Sequence, residues 1–201
     1  MHPAVHATFD RLCRRHGVGQ SVLEIGATAD PDTLLHLPAL AGVKQKLGVN
    51  LEGGITSGGI DILAANANAL PMLEDASFDL VLCNSTLEHD PMFWLTLAEA
   101  RRLLRPGGVA IYGVPGYAEH RGLAPKLKGL AARLWPEPLP GAASIAGSAA
   151  STGTLQVHNF PGDYYRFSTQ AMRDILLQGL AVLELETLLR PPRIIGAGRK
   201  T

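Results

Sequence analysis

The run Ser21-Val22-Leu23-Glu24-Ile25-Gly26 is short, apolar and closed by a glycine. It predicts a buried strand, and the glycine predicts a tight turn where backbone can come close to a ligand. The same kind of run recurs downstream. Lys44–Asn50 (KQKLGVN), Asp61–Ala65, Phe78–Asn84 (FDLVLCN) and Val109–Val114 all read as strands. Helical signals lie around and between them. Val5, Phe9, Leu12 and Cys13 recur at helical spacing within residues 3–16, and Gly17 and Gly19 end that segment. Asp30-Pro31 reads as N-cap and first helical residue of a helix through about Leu40. Pro91–Leu104 places Phe93, Leu97, Ala100, Leu103 and Leu104 on one face, and Pro106-Gly107-Gly108 is expected to break it before the fifth strand. Strands alternating with helices predict an α/β fold with an open, mainly parallel sheet.

That rhythm stops after residue 114. Residues 115–162 show no strand pattern and hold thirteen Gly and Pro residues, with a low-complexity stretch at Gly141–Gly153. It resumes with a helix over Ser168–Gln178, N-capped by Ser168, then strands at Leu180–Leu188 and Arg193–Lys200. The organisation expected is one domain over residues 1–201. Its parts are an N-terminal helix (1–19), a core (20–114), a late lid insertion (115–162) and a C-terminal helix with strands (163–201).

Net charge is zero, from 18 basic and 18 acidic residues, but the charges are segregated. Residues 24–99 carry two basic and eleven acidic groups, whereas residues 100–201 carry thirteen basic and six acidic. No uniformly basic face is implied, so no nucleic-acid partner is expected. Two cysteines make no disulfide framework, and no His/Cys cluster has zinc-ligand spacing, so no metal is expected. The first residues lack an apolar signal core, and no window reaches ~20 consecutive apolar residues, so a cytoplasmic location is expected.

Five pieces in order resemble the class I S-adenosylmethionine-dependent methyltransferases. Val22-Leu23-Glu24-Ile25-Gly26 looks like their first motif. Asn66-Ala67-Asn68-Ala69-Leu70-Pro71, followed by Ser77-Phe78-Asp79-Leu80-Val81, looks like the adenine-side segment and fourth strand. Leu87-Glu88-His89 is similar to the triplet after that strand, and Leu103-Leu104-Arg105-Pro106-Gly107-Gly108 to the turn entering the fifth. The resemblance implies a Rossmann-like methyltransferase fold with helices on both faces of the sheet. It also implies S-adenosylmethionine as cofactor, with Glu24, Gly26, Thr28, Asp30, Asn50, Asn66, Ala67 and Asn84 as cofactor-binding positions. Thr28 and Asp30 stand where the family usually has glycine. Asn50 stands at the ribose-binding acid and Asn66 at the acid of the adenine turn. On this placement, Gly26→Val is expected to abolish cofactor binding by closing the approach.

His158-Asn159-Phe160-Pro161-Gly162-Asp163-Tyr164-Tyr165-Arg166-Phe167 gathers four of the eleven aromatic residues beside polar handles, as ligand pockets do. It resembles a segment of relatives found with polysaccharide-building enzymes. His158 and Asp163 are the candidate catalytic residues, since a hydroxyl acceptor wants a general base. Tyr164, Tyr165 and Arg166 are the candidate acceptor-binding residues. The acceptor expected is a small molecule or glycan-like compound, such as a polysaccharide precursor. An alternative reading is a catalytically inactive, methyltransferase-like binding protein. Residues 123–135 predict a short basic amphipathic helix, either a lid packed on the sheet or a weak contact with an anionic membrane surface, which would make the protein peripheral to the membrane.

Overall fold

The computed structural model describes residues 2–29, 33–56, 58–117, 162–189 and 191–201. Asp30, His158, Phe160, the 123–135 segment and the Gly141–Gly153 stretch lie outside them.

Eight strands form one sheet. In chain order they are β1 (Ser21–Ile25), β2 (Gln45–Asn50), β3 (Gly54–Ile55), β4 (Asp61–Ala64), β5 (Phe78–Asn84), β6 (Leu104–Pro115), β7 (Ala181–Leu189) and β8 (Pro192–Arg199). Their spatial order is β3-β4-β2-β1-β5-β6-β8-β7. β4, β2, β1, β5 and β6 run parallel; β3 pairs antiparallel with β4, and β8 with both β6 and β7. The chain leaves β1 in one direction through β2 and β4, then returns to lay β5 on its other side. That reversal puts a topological switch point at the carboxyl ends of β1 and β5, the place where open α/β sheets bind ligands.

Alternation along the strands builds a core on each face. Helix α1 (Pro3–His16) shares one cluster with Val22, Leu80, Leu82, Ile111 and Ile195 through Val5, Phe9, Leu12 and Cys13. On the other face, Leu97, Ala100 and Leu103 of α2 (Phe93–Leu103) join Leu23, Ile25, Val81, Ala110 and Tyr112. Met172, Leu176 and Leu177 complete that side. Helices thus cover both faces, in agreement with the expected architecture.

Three local expectations need correction. Between β1 and β2 the described residues form two 3-10 turns, Leu34–His36 and Pro38–Leu40, and no α-helix. Pro38 lacks the N–H that would carry a helix past His36. Pro106-Gly107-Gly108 does not separate α2 from a later strand, because β6 begins at Leu104. The register passes from Phe78↔Leu104 to Leu80↔Val109, so the extra residues of β6 bulge. Gly107, at φ +79°, donates its N–H to the Lys200 carbonyl at 2.7 Å. The last helix starts as expected, with Ser168 Oγ accepting from Ala171 N–H, but α3 (Thr169–Ala171) passes at once into a π-turn over Met172–Leu176. No helix among the described residues is long and apolar enough to cross a membrane.

Candidate functional site

The turn after β1 is built around Gly26. Its φ is +79°, a region that side-chain-bearing residues rarely adopt. A Cβ there would sit 2.8 Å from Thr86 Cβ and 2.9 Å from Thr86 Cγ2, and would overlap Thr86 Oγ1. Glycine is therefore demanded by Thr86, which lies two residues past the end of β5 and donates through Oγ1 to the Ile25 carbonyl at 3.4 Å. Gly26 and Ala27 both donate their N–H to the Val49 carbonyl, at 2.8 and 3.1 Å, which lays the turn on β2. Thr28 and Ala29 follow it, exposed.

Glu24 is buried and capped from within. Its carboxylate accepts from Thr33 Oγ1 and from the N–H groups of Leu34 at 3.2 Å and Leu35 at 3.3 Å. Burial pushes its pKa up to about 7, against the pull of those three donors. An acid whose folded pKa is raised contributes stability that is complete below about pH 4.5 and lost as pH rises through about 7. Glu24→Gln is expected to remove about 1–3 kcal/mol of that pH-dependent loss. Urea denaturation of both proteins at pH 5 and pH 8 checks it; an unchanged pH slope in the variant would contradict the assignment.

The remaining expected cofactor positions lie along the same edge. Asn50 ends β2, half-buried, with Nδ2 donating to the Ala27 carbonyl at 2.7 Å. Asn66 and half-buried Ala67 follow β4; the exposed Asn66 accepts from Asn68 N–H at 3.0 Å through Oδ1. Asn68 in turn donates to Asp90 at 2.7 Å and Thr96 at 3.0 Å, which ties this turn to the start of α2. Asn84 ends β5 beside Gly113 and Phe9, and its Oδ1 is buried without a hydrogen-bond partner.

On the opposite flank, the 163–167 segment docks on the loop after β5. The Glu88 carbonyl accepts from Tyr164 N–H at 2.8 Å and Tyr165 N–H at 3.3 Å, and Tyr165 Oη donates to the Pro91 carbonyl at 3.0 Å. Tyr165 and Phe167 pack edge-on against Phe93, with centroids 5.1 and 5.4 Å away. Tyr164 stays 58% exposed. Asp163 and Arg166 form a largely buried ion pair, with Nη2 2.6 Å from Oδ2. Close by, Glu88 is fully buried and pairs with Arg193 at 3.4 Å. Its Oε2 lacks a hydrogen-bond partner. Burial raises the Glu88 pKa to about 7, opposed by the positive charges of Arg193 and Arg166.

The structure thus brings Gly26, Asn50, Asn66 and Asn84 to one sheet edge, with Asp163, Tyr164, Tyr165 and Arg166 beside the β5 end of it. Sequence reasoning missed Thr86 and Arg193. Thr86 carries no local signal, since its partner is sixty residues away in the chain. Arg193 could be found only by knowing that the start of β8 lies opposite Pro115, at the carboxyl end of β6.

Residues 35–112 match the family model described as a methyltransferase domain. A ubiquinone/menaquinone biosynthesis C-methyltransferase of Methylobacterium nodulans is 33% identical over 108 residues, 54% of this chain and 42% of that protein. The chain thus spans less than half the length of this curated relative. Among solved structures, the fold is similar to 1,6-didemethyltoxoflavin-N1-methyltransferase of Burkholderia thailandensis, crystallised with 1,6-didemethyltoxoflavin and S-adenosylhomocysteine. Identity is 19%, coverage 98% of this chain and 79% of the other, and the TM-score 0.61. A methyltransferase from Aquifex aeolicus matches over the full length of both chains at 13% identity and TM-score 0.56. The N-methyltransferase NodS of Bradyrhizobium japonicum, in complex with S-adenosylhomocysteine, covers 98% of this chain and 86% of its own, at 14% identity and TM-score 0.52.

Proposed function

We propose that this chain, whose residues 35–112 match a methyltransferase domain, is a class I S-adenosylmethionine-dependent methyltransferase that binds S-adenosylmethionine at the carboxyl ends of β1 and β5 and methylates a small-molecule acceptor. The observation that carries the reading is the Gly26 turn meeting Thr86 at the switch point of the sheet, with polar groups waiting on the same edge. When bound, the cofactor supplies an electrophilic methyl group on a sulfonium sulfur.

The residues present suit that group. Asn84 Oδ1 is a buried acceptor without a donor, an arrangement that costs free energy until an ammonium or N–H satisfies it. Asn66 and the backbone at Ala67 offer the exposed amide and peptide groups that suit an adenine edge. Exposed Thr28 and the backbone of the turn would hold the cofactor's remaining polar atoms. Glu24 acts one layer further in, holding the residues that follow the turn through Thr33, Leu34 and Leu35.

On the acceptor side, Tyr164 presents an exposed ring and Arg166 a cation already oriented by Asp163. Aromatic rings with a fixed cation suit the apolar faces and acidic substituents of a sugar-like compound, such as a charged polysaccharide precursor. In this reading Asp163 orients Arg166, and His158 is the base that takes the acceptor proton. Positioning carries most of the catalytic work, because the leaving thioether is neutral.

Calorimetric titration with S-adenosylhomocysteine tests the cofactor half. Saturable binding is expected; no heat and no thermal shift at millimolar ligand would sink the proposal and leave a binding protein of another kind. Release of S-adenosylhomocysteine during incubation with S-adenosylmethionine and a panel of sugar nucleotides tests the acceptor half.

A further inference from the structure

Each polar end of the Asn50 side chain makes one hydrogen bond within the protein. Nδ2 donates to the Ala27 carbonyl at 2.7 Å, and Oδ1 accepts from Leu51 N–H at 2.7 Å. The two contacts fix the orientation of the amide, because exchanging its oxygen and nitrogen would oppose acceptor to acceptor and donor to donor. Ala27 is fully buried, and its own N–H is donated to Val49. Both backbone groups of Ala27 are thus tied to the end of β2, one of them through Asn50.

We propose that Asn50 is a positioning residue, a clasp that holds the Gly26–Ala27 turn on β2, and that it is not a ligand of the cofactor's ribose. This rests on the cofactor reading above. The chemistry separates the two roles. A ribose hydroxyl is held better by a carboxylate than by an amide, since charge-assisted hydrogen bonds are the stronger. The Ala27 carbonyl needs a donor, which a carboxylate lacks. Asn50→Asp keeps the acceptor for Leu51 N–H and turns the other contact into two oxygens facing each other. The substitution that would favour a ribose ligand is therefore the one that opens the clasp.

Two measurements on the 201-residue chain decide it. Asn50→Asp is expected to bind S-adenosylhomocysteine about tenfold more weakly than the parent, the size of one lost hydrogen bond with an acceptor left unpaired. Without any ligand, the Gly26 and Ala27 amides of the variant are expected to exchange hydrogen faster, because the turn they anchor is loosened. Equal or tighter binding by the variant, or unchanged exchange at the two amides, overturns the clasp. Should Asn50→Asp fail to fold, Asn50→Ala removes the donor without adding an acceptor. Faster exchange at the two amides then supports the clasp, and unchanged exchange rejects it. The exchange measurement needs no cofactor, so it stands even if the parent protein fails to bind S-adenosylhomocysteine, a result that counts against the cofactor reading alone.

Discussion

Gly26→Val is expected to destabilise the whole fold by about 3–5 kcal/mol, as well as abolishing cofactor binding. Two costs add. A β-branched residue at φ +79° is strained by its own backbone, and its Cβ falls inside the Thr86 side chain. Against a typical stability of about 5–15 kcal/mol, the loss approaches complete unfolding. The sequence pointed to the same variant for a different reason, obstruction of a ligand. The structure shows that Thr86 already occupies that side of Gly26. A double-mutant cycle separates the contributions. Gly26→Val in a Thr86→Gly background sheds the overlap and keeps the φ strain, so part of the loss should return. Urea denaturation measures it; a Gly26→Val protein with parental stability would remove Thr86 from the account.

The second large effect is expected at Arg193. Its removal strands Glu88, which is fully buried, and breaking a buried pair in this way typically costs about 3–5 kcal/mol. Glu88 can escape part of that by taking a proton, which gives the variant a pH signature. In the parent, the Glu88 pKa of about 7 makes its stabilising contribution complete below about pH 4.5 and lost as pH rises through 7. Arg193 holds that value down, so Arg193→Met raises it further. The parent should level off above pH 7, while the variant keeps losing up to about 1.4 kcal/mol per pH unit. Arg166 also faces Glu88 and, paired with Asp163, limits the rise. Adding Glu88→Gln to Arg193→Met should abolish the slope. Parallel stability curves from pH 6 to pH 9 would show that Arg193 does not set the charge state of Glu88. Because the Glu88 carbonyl anchors Tyr164 and Tyr165, the same variant is expected to loosen the 163–167 segment.

Much of this was readable along the chain because the signals are local. β1 and β5 announce themselves by apolar runs of strand length, α2 by its Leu97–Ala100–Leu103 face, and the last helix by the cap at Ser168. The misreadings share one cause, that local rules yield to neighbours distant in sequence. Pro106-Gly107-Gly108 reads as a break, yet Gly107 and Gly108 pair with Lys200 at the far end of the chain and become a bulge in β6. The Asp30-Pro31 start signal was followed by 3-10 turns, where Thr33, Leu34 and Leu35 instead cap Glu24.

What the order of residues determined by itself is the class of fold and which edge of the sheet gathers the candidate site residues. Hydrophobic periodicity and turn glycines are properties of a few consecutive residues, and every parallel strand delivers its end to the same edge. Only the tertiary structure decided what the residues at that edge do. Glu24 became an internal cap, Gly26 the partner of Thr86, Asn50 a link to Ala27, and Glu88 the buried mate of Arg193. Each role depends on a group brought in from another strand or turn. Hydrogen-bond partners and burial are set by that approach in space, which spacing along the chain does not encode.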